Sequence, residues 1–193
     1  MPKIVPIVEG HGEMQAVPLL IRRIANLVDP TLNVEVCKPI RVKRQKVVKE
    51  GEFERALELA ARQAGADGRI LVILDADDDC PRELAEELLR RAKIARADRL
   101  TKVVVAKREY ESWFIAAGDS IAGCRGISSD CRSAAEPEEV RNPKAWISSQ
   151  MNSGYNYQET LDQPALTAEF DVAAARASPS FDKLWRDVEA LLS

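Results

Sequence analysis

Short apolar runs in the first half of the chain have the pattern of β-strands. Three of them read KIVPIV, RILVILD and RLTKVVVA, at 3–8, 69–75 and 99–106. Runs of this length, rich in Val and Ile and bounded by turn residues, are typical of strands buried on both faces. A fourth segment, 33–41, alternates in part, and we expect Pro39 to end it or to place it at a sheet edge. Pro6 counts against a central position for the first strand unless one side of it is unpaired, because proline donates no ladder hydrogen bond.

Segments with helical spacing separate these runs. Apolar residues recur at intervals of three and four after Gly12, over 51–64 and over 81–97. Pro18 counts against an early start of the first helix unless it lies in the first turn, where its missing N–H costs little. Because strand and helix alternate through this half, the order predicts an α/β fold with a parallel sheet and helices on its faces.

The second half of the chain has weaker patterning. Residues 117–142 are rich in Gly, Ser, Cys and acids, and they predict an irregular or short-helical insertion. The further elements expected are a short helix after Asn142-Pro143, a loop over 154–165, and closing helices over 172–175 and 181–192. We therefore expect an α/β core over 1–118 and a mostly helical C-terminal extension over 119–193, packed on that core.

Composition narrows the classes of protein. With 193 residues, 46% of them hydrophobic and 31% charged, the chain has the size and balance of one well-buried globular domain. The net charge of -3 carries no global basic signature, so any contact with nucleic acid must come from a local patch or a partner.

The four cysteines form no CxxC pair and His11 is the only histidine, which argues against structural zinc. We find no signal-peptide pattern and no run of membrane-spanning length, and we expect a cytoplasmic protein.

Four acids stand at the end of the 69–75 run, namely Asp75, Asp77, Asp78 and Asp79. Side chains alternate along a strand, so Asp75 and Asp77 are expected on one side of its carboxyl end, where open α/β sheets bind ligands. Neighbouring carboxylates repel one another unless a cation or bound protons compensate, and hard oxygen ligands favour Mg²⁺ or Mn²⁺. The alternative is that Asp79 caps the helix beginning near Pro81, which accounts for one aspartate but not for all four.

Other charged residues follow strands at the same edge. Glu9 and Glu13 flank the turn after the first strand, although a carboxylate at the position of Glu13 is also favoured by the helix dipole. His11, in that turn, is a secondary candidate, since a lone loop histidine is more often a surface residue. A run of basic residues follows the segment 33–41 and comprises Arg41, Lys43, Arg44, Lys46 and Lys49. It is either a solvated loop or a segment that contacts a phosphate backbone.

The order and spacing of these motifs resemble a known family. Glu-Gly after a first strand and Asp-x-Asp after a later one resemble the Toprim domain of topoisomerases, bacterial-type primases, small nucleases and OLD-family nucleases. The chain is more closely similar to the Toprim-like family DUF4276, in VEGHGE at 8–13, LDADDDCP at 74–81, EYESWF at 109–114, NPK at 142–144 and SFDKL at 180–184. The resemblance covers nearly the whole chain and implies a Toprim/Rossmann-like parallel sheet.

The resemblance also implies a role for each matching residue. Glu9 matches the strand-end glutamate, as a metal ligand or general acid/base, and Asp75 and Asp77 match the aspartates that hold Mg²⁺. Glu13 and Asp79 are candidates for a second metal site. OLD-type enzymes also carry a basic residue and further acids near a later strand. The candidates for these residues in this chain are Lys107, Glu109 and Glu111. No segment matches the tyrosine domain of a topoisomerase or the zinc module of a primase, so neither activity is implied.

From these observations we expect a Mg²⁺- or Mn²⁺-dependent nuclease or phosphodiesterase acting on nucleic acid. Glu9 and Glu111 would be catalytic, and Lys107 or Arg108 would stabilise charge on the phosphoryl group. The phosphate backbone would contact Arg41, Lys43, Arg44 and Lys46. By analogy with OLD-type proteins, the chain would be the effector of a bacterial defence system beside an AAA/ABC-type ATPase, since it has no P-loop of its own.

Two other classes of function stay open. One is a non-catalytic module that binds metal or a partner and regulates an ATPase. The other is a metal-dependent nucleotide phosphoryl transferase, because Asp-x-Asp also serves that chemistry. A homodimer is compatible with the sequence.

Overall fold

Five parallel strands form one sheet in the computed structural model, which describes residues 1–193. The strands are Lys3–Val8 (β1), Glu35–Val36 (β2), Ile40–Arg41 (β3), Arg69–Asp75 (β4) and Thr101–Ala106 (β5). Strand β1 pairs with β4 on one side and with both β2 and β3 on the other, and β4 pairs with β5. The expected α/β fold, with a parallel sheet flanked by helices, is confirmed.

Nine α-helices and three short 3₁₀ turns complete the fold. The α-helices are Glu13–Val28 (α1), Arg44–Val47 (α2), Glu52–Ala64 (α3), Pro81–Ala95 (α4), Ser112–Ala116 (α5), Gly118–Ile121 (α6), Pro143–Ser149 (α7), Glu159–Glu169 (α8) and Pro179–Leu192 (α9). The 3₁₀ turns are Cys124–Gly126, Pro137–Glu139 and Ala174–Ala177. None of the helices combines the length and the apolar character that crossing a membrane requires.

The pleat of the sheet directs alternate side chains into two hydrophobic cores. On one face, Val5 and Val72 pack with the apolar sides of α3 and α4. On the other face, Ile4 and Leu71 pack with residues of α1, α5, α8 and α9. Consecutive strand residues therefore enter different cores, as the period of two requires. The C-terminal half of the chain thus helps to cover one face of the sheet.

Pro6 lies in a central strand, where the missing N–H is tolerated because one side of the residue is unpaired. The carbonyls of Pro2, Ile4 and Val8 accept hydrogen bonds from the segment that contains β2 and β3. Even-numbered residues of β1 therefore direct their backbone groups to that side, and the ring nitrogen of Pro6 faces the gap between β2 and β3. Pro39 lies in this gap and splits the segment into two short strands. At this gap neither proline is required to donate a ladder hydrogen bond.

Helix α1 begins earlier than its proline suggests. It starts at Glu13, so Pro18 lies inside the helix, in the second turn rather than the first. The missing N–H of Pro18 removes the helical bond that would reach the carbonyl of Met14. The helix persists because its buried face packs into the core beside the sheet, with Val17, Leu20 and Ile21 fully buried.

Helix α8 occupies much of the segment expected to be a loop over 154–165. Its buried side chains are Asp162, Gln163, Leu166 and Thr167, so most of the inward face is polar. Because helical spacing is detected from apolar residues, this helix leaves little signal in the sequence. The segment expected to be helical over 172–175 instead forms a 3₁₀ turn, Ala174–Ala177, directly before α9.

Candidate functional site

Acidic side chains from three strand ends meet at the carboxyl edge of the sheet. Glu9 directly follows β1, Asp75 is the last residue of β4, and Glu111 precedes α5 in the segment after β5. Glu13 joins them from the first turn of α1. The four carboxyl groups interact electrostatically with one another and are called the acidic site below. Parallel topology places them together because the carboxyl ends of parallel strands share one edge.

Glu13 folds back over the turn that precedes its own helix. Its Oε2 accepts hydrogen bonds from the backbone N–H groups of Glu9 and Gly10, each at 2.8 Å. The side chain is only 2% exposed, and burial raises its pKa to about 7, with the charges of Glu111 and Glu9 adding to the effect. Glu13 therefore holds the turn in place as well as adding charge to the site.

Asp75 and Glu9 offer carboxylate oxygens that the protein leaves partly unused. Asp75 Oδ1 accepts the backbone N–H of Tyr110 at 2.9 Å. Burial, followed by the charges of Glu13 and Glu111, holds the pKa of Asp75 well above its usual range. Glu9 Oε2 is buried without a hydrogen-bond partner, and burial also raises the pKa of Glu9.

Glu111 is the most enclosed carboxylate of the site, with no exposed surface. Its Oε1 accepts hydrogen bonds from the Tyr157 hydroxyl at 2.7 Å and from the Gln163 amide at 3.2 Å. Its Oε2 has no hydrogen-bond partner. Burial raises the pKa of Glu111 to about 7, while the charge of Lys144 opposes the shift.

Lys144, from α7, places an ammonium group among the acids. Its Nζ lies 3.3 Å from Glu109 Oε1, 3.4 Å from Glu159 Oε2 and 3.9 Å from Glu111 Oε2. Burial lowers the pKa of Lys144, but the surrounding carboxylates outweigh burial and the pKa lies above its usual value. The protein itself thus supplies part of the positive charge that the site requires.

The three aspartates after Asp75 are exposed and arranged differently. Asp77 lies two residues past the end of β4 with a φ of 52°, in the left-handed region, and its N–H donates to the Arg108 carbonyl at 3.0 Å. It therefore leaves the alternation that would align it with Asp75, although its charge still raises the pKa of Glu9. Asp78 pairs with Arg108 at 2.8 Å, and Asp79 pairs with Arg44.

The expected basic residues lie at the rim rather than among the buried acids. Arg44 pairs with Asp79, and the guanidinium of Arg41 lies 3.5 Å from the Glu9 carbonyl. Lys43, Lys46 and Lys49 are exposed around the short helix α2, and His11 is exposed in its turn. Lys107 pairs with the exposed Glu139 and makes no ion pair with the acidic site.

The oxygens of the acidic site suit a hard divalent cation, but they are not assembled around one. No set of three His, Cys, Asp or Glu side chains is placed to hold a metal ion. Glu9 and Glu111 each have a buried oxygen that accepts no hydrogen bond, and carboxylate oxygens are the donors that such an ion takes. The chemistry of these oxygens suits Mg²⁺ or Mn²⁺, whereas their arrangement does not form a metal site.

Several residues of the site come from the half of the chain with the weakest sequence pattern. They are Lys144, Tyr157, Glu159 and Gln163. Only Lys144 lies in a motif that sequence comparison brings out, Asn142-Pro143-Lys144, and the motif does not reveal what the lysine contacts. Tyr157 and Gln163 lie in or beside a polar helix without helical periodicity, so no local signal marks them.

Comparison with known proteins bears on family membership alone. A family model described as a domain of unknown function, DUF4276, matches residues 8–189. No curated protein and no solved structure matches the chain. The matched segment begins at the last residue of β1 and ends within α9, so it contains every residue of the acidic site. The chain therefore belongs to the DUF4276 family.

Proposed function

We propose that this protein is a Toprim-like, Mg²⁺- or Mn²⁺-dependent nuclease or phosphodiesterase that acts at the acidic site. The observation that carries the proposal is the convergence of Glu9, Asp75 and Glu111 from three strand ends, where Glu9 and Glu111 each have a buried oxygen that accepts no hydrogen bond. Burying carboxylates without full compensation is unfavourable for folding. A divalent cation compensates them and supplies the chemistry that phosphodiester hydrolysis needs.

Each residue of the site has a distinct part in this proposal. Glu9, Asp75 and Glu111 would hold the ion, while Glu13 keeps the turn closed through its two backbone hydrogen bonds. When bound, the ion would polarise the phosphoryl oxygen and activate water. Glu9 is either a ligand of the ion or the group that transfers a proton at the substrate, because its one buried oxygen without a hydrogen bond, Oε2, serves only one of these roles.

The proposed substrate is a nucleic acid because positive charge lies beside the acidic site. Arg41 and Arg44 lie next to the turn that carries Glu9, and Lys43 and Lys46 extend this charge outward. Exposed lysines and arginines in such a run bind phosphates regardless of base sequence. Lys107 would join them on opening of its exposed pair with Glu139, since exposed ion pairs are weak. An ATPase partner, a role in defence and a cytoplasmic location belong to the same proposal by analogy.

A cleavage assay tests the proposal. Supercoiled plasmid, single-stranded DNA and transfer RNA are each incubated with the protein and Mg²⁺, Mn²⁺ or EDTA. Asp75→Asn removes a charge but keeps the oxygen that accepts the Tyr110 N–H, and Asp67→Asn removes an exposed charge elsewhere as a matched control. We expect metal-dependent cleavage that is lost in Asp75→Asn and retained in Asp67→Asn. Cleavage that persists in EDTA or in Asp75→Asn refutes the proposed site.

One observation favours a second candidate function, a non-catalytic module that binds a partner through the acidic site. The single ammonium of Lys144 already lies within 4.0 Å of three carboxylates. This candidate predicts no cleavage of any substrate with or without an ATPase partner, and loss of partner binding in Asp75→Asn.

A further inference from the structure

We propose that a cleft between β3 and α3 binds an unpaired nucleotide, so that the protein selects single-stranded nucleic acid over duplexes. The cleft has a volume of about 370 Å³ and is called the basic cleft below. Its cations are Arg41, Lys43, Lys46 and Arg55. This inference rests on the proposed function, since it names the form of nucleic acid that would reach the acidic site.

Positive charge predominates around the basic cleft. Its four cations face a single acid, Glu52, which leaves a surplus of three positive charges. Glu52 lies 2.9 Å from the Arg55 guanidinium and 4.0 Å from the Lys46 ammonium, and both of these cations are exposed. Exposed ion pairs of this kind are weak, so a phosphate can take the place of Glu52. Helix α3 thus adds Arg55 to the cations of the basic run.

Apolar side chains line the rest of the basic cleft. Val42 and Ala56 are nearly buried, Ile40 is partly exposed, and the side chain of Leu59 is 53% exposed. The buried face of α3 is formed by other residues, among them Phe53, so Leu59 is not needed to hold the helix on the sheet. Apolar surface rimmed by charged residues is typical of a site that binds another molecule.

A nucleotide of a single strand matches this combination of cations and apolar surface. In a duplex the bases are stacked and paired inside the helix, so the phosphates would contact the cations and leave the apolar side chains uncovered. In a single strand a base can turn outward and pack on a side chain while the phosphates on either side of it bind lysine and arginine. The basic cleft therefore favours a single strand.

The basic cleft and the acidic site are joined by positive charge. Arg41 lines the cleft, and its guanidinium lies 3.5 Å from the carbonyl oxygen of Glu9. Arg44, the residue after Lys43, pairs with Asp79 and also acts on the carboxylate of Glu9. A strand bound in the cleft can therefore continue along these cations to the acidic site.

Fluorescence anisotropy tests the inference with labelled single-stranded DNA, single-stranded RNA and a DNA hairpin, in EDTA so that no strand is cut. The variants are Leu59→Gln and Arg55→Gln. Their matched controls are Leu27→Gln and Arg62→Gln, because Leu27 is 54% exposed on α1 and Arg62 is exposed on α3 outside the cleft. A labelled peptide of alternating Glu and Leu tests for an acidic protein partner instead. Circular dichroism establishes that each variant is folded.

We expect the wild type to bind the single strands more tightly than the hairpin. Leu59→Gln should weaken single-strand binding about fivefold and leave hairpin binding unchanged, because only an unpaired base contacts this side chain. Arg55→Gln should reduce the slope of log K against log salt by about 0.7, the value for one phosphate contact on a single strand. The two control variants should bind as the wild type does.

Equal affinity for single strands and hairpin overturns the inference, and so does an unchanged single-strand affinity of folded Leu59→Gln. Either result leaves the proposed function standing, because metal-dependent cleavage at the acidic site is measured separately. If no oligonucleotide binds, both the inference and the nucleic-acid substrate of the proposed function are overturned. Binding of the peptide in that case identifies an acidic protein partner as the occupant of the cleft.

Discussion

Replacing Glu111 by Gln should stabilise the metal-free protein at alkaline pH, although it removes a residue of the proposed active site. Glu111 is fully buried, and its pKa is raised from 4.5 to about 7. A raised folded-state pKa means that the folded protein binds the proton more tightly than the unfolded chain does. The favourable contribution of protonated Glu111 to the free energy of unfolding is therefore fully present at pH 4. It is lost as the pH rises from about 4.5 through 7. Glutamine mimics the protonated acid at every pH.

The size of the effect follows from the shift in pKa. A difference of about 2.5 units corresponds to about 3 kcal/mol at 1.36 kcal/mol per unit. Responses of the neighbouring carboxyl groups reduce this value, and we expect the advantage of Glu111→Gln to grow by about 2–3 kcal/mol between pH 4.5 and pH 8. The hydrogen bonds from Tyr157 and Gln163 to Oε1 are kept, because the amide retains one oxygen acceptor.

Urea unfolding in EDTA, followed by circular dichroism at several pH values, measures this advantage. Glu189→Gln on α9 is the matched control, since Glu189 is exposed and its replacement should change stability equally at both ends of the pH range. A difference between Glu111→Gln and wild type that is constant with pH would refute the buried, high-pKa carboxylate. Added Mn²⁺ should stabilise the wild type more than the variant, because an ion that binds only the folded state shifts the equilibrium toward it.

Two further predictions concern the core beneath the site and the basic rim. Tyr110→Phe removes the hydrogen bond between the buried Tyr110 hydroxyl and Thr167 Oγ1 at 3.0 Å, and it should lower the free energy of unfolding by about 1–2 kcal/mol in chemical denaturation. Adding Thr167→Val should then cost less than it does in the wild type, and full additivity would contradict the pair. The double variant Lys43→Gln and Lys46→Gln should weaken nucleic-acid binding and reduce the slope of log K against log salt by about two, as fluorescence anisotropy measures. An unchanged slope would place the phosphate contacts elsewhere.

Strands and long helices were predictable because their signal is local. An apolar run such as 69–75 must bury both of its faces, and the spacing of apolar residues over 52–64 can bury only one side of a helix. Helix α8 was not predicted from the spacing of apolar residues, because its buried face carries the polar residues Asp162, Gln163 and Thr167. The position of Pro6 could be predicted only conditionally, because proline is tolerated in a central strand where the neighbouring strand pairing has a gap.

The sequence by itself determined the α/β order and the acids at the strand ends, since strand ends in a parallel sheet share one edge. Tertiary structure alone decided which acids are buried together and what surrounds them. Asp77 turns away in a left-handed conformation, whereas Glu111 is drawn inward to meet Tyr157 and Lys144. These contacts join residues 33 to 46 positions apart, and their distances are set by the packing of α7 and α8 on the core rather than by any local pattern.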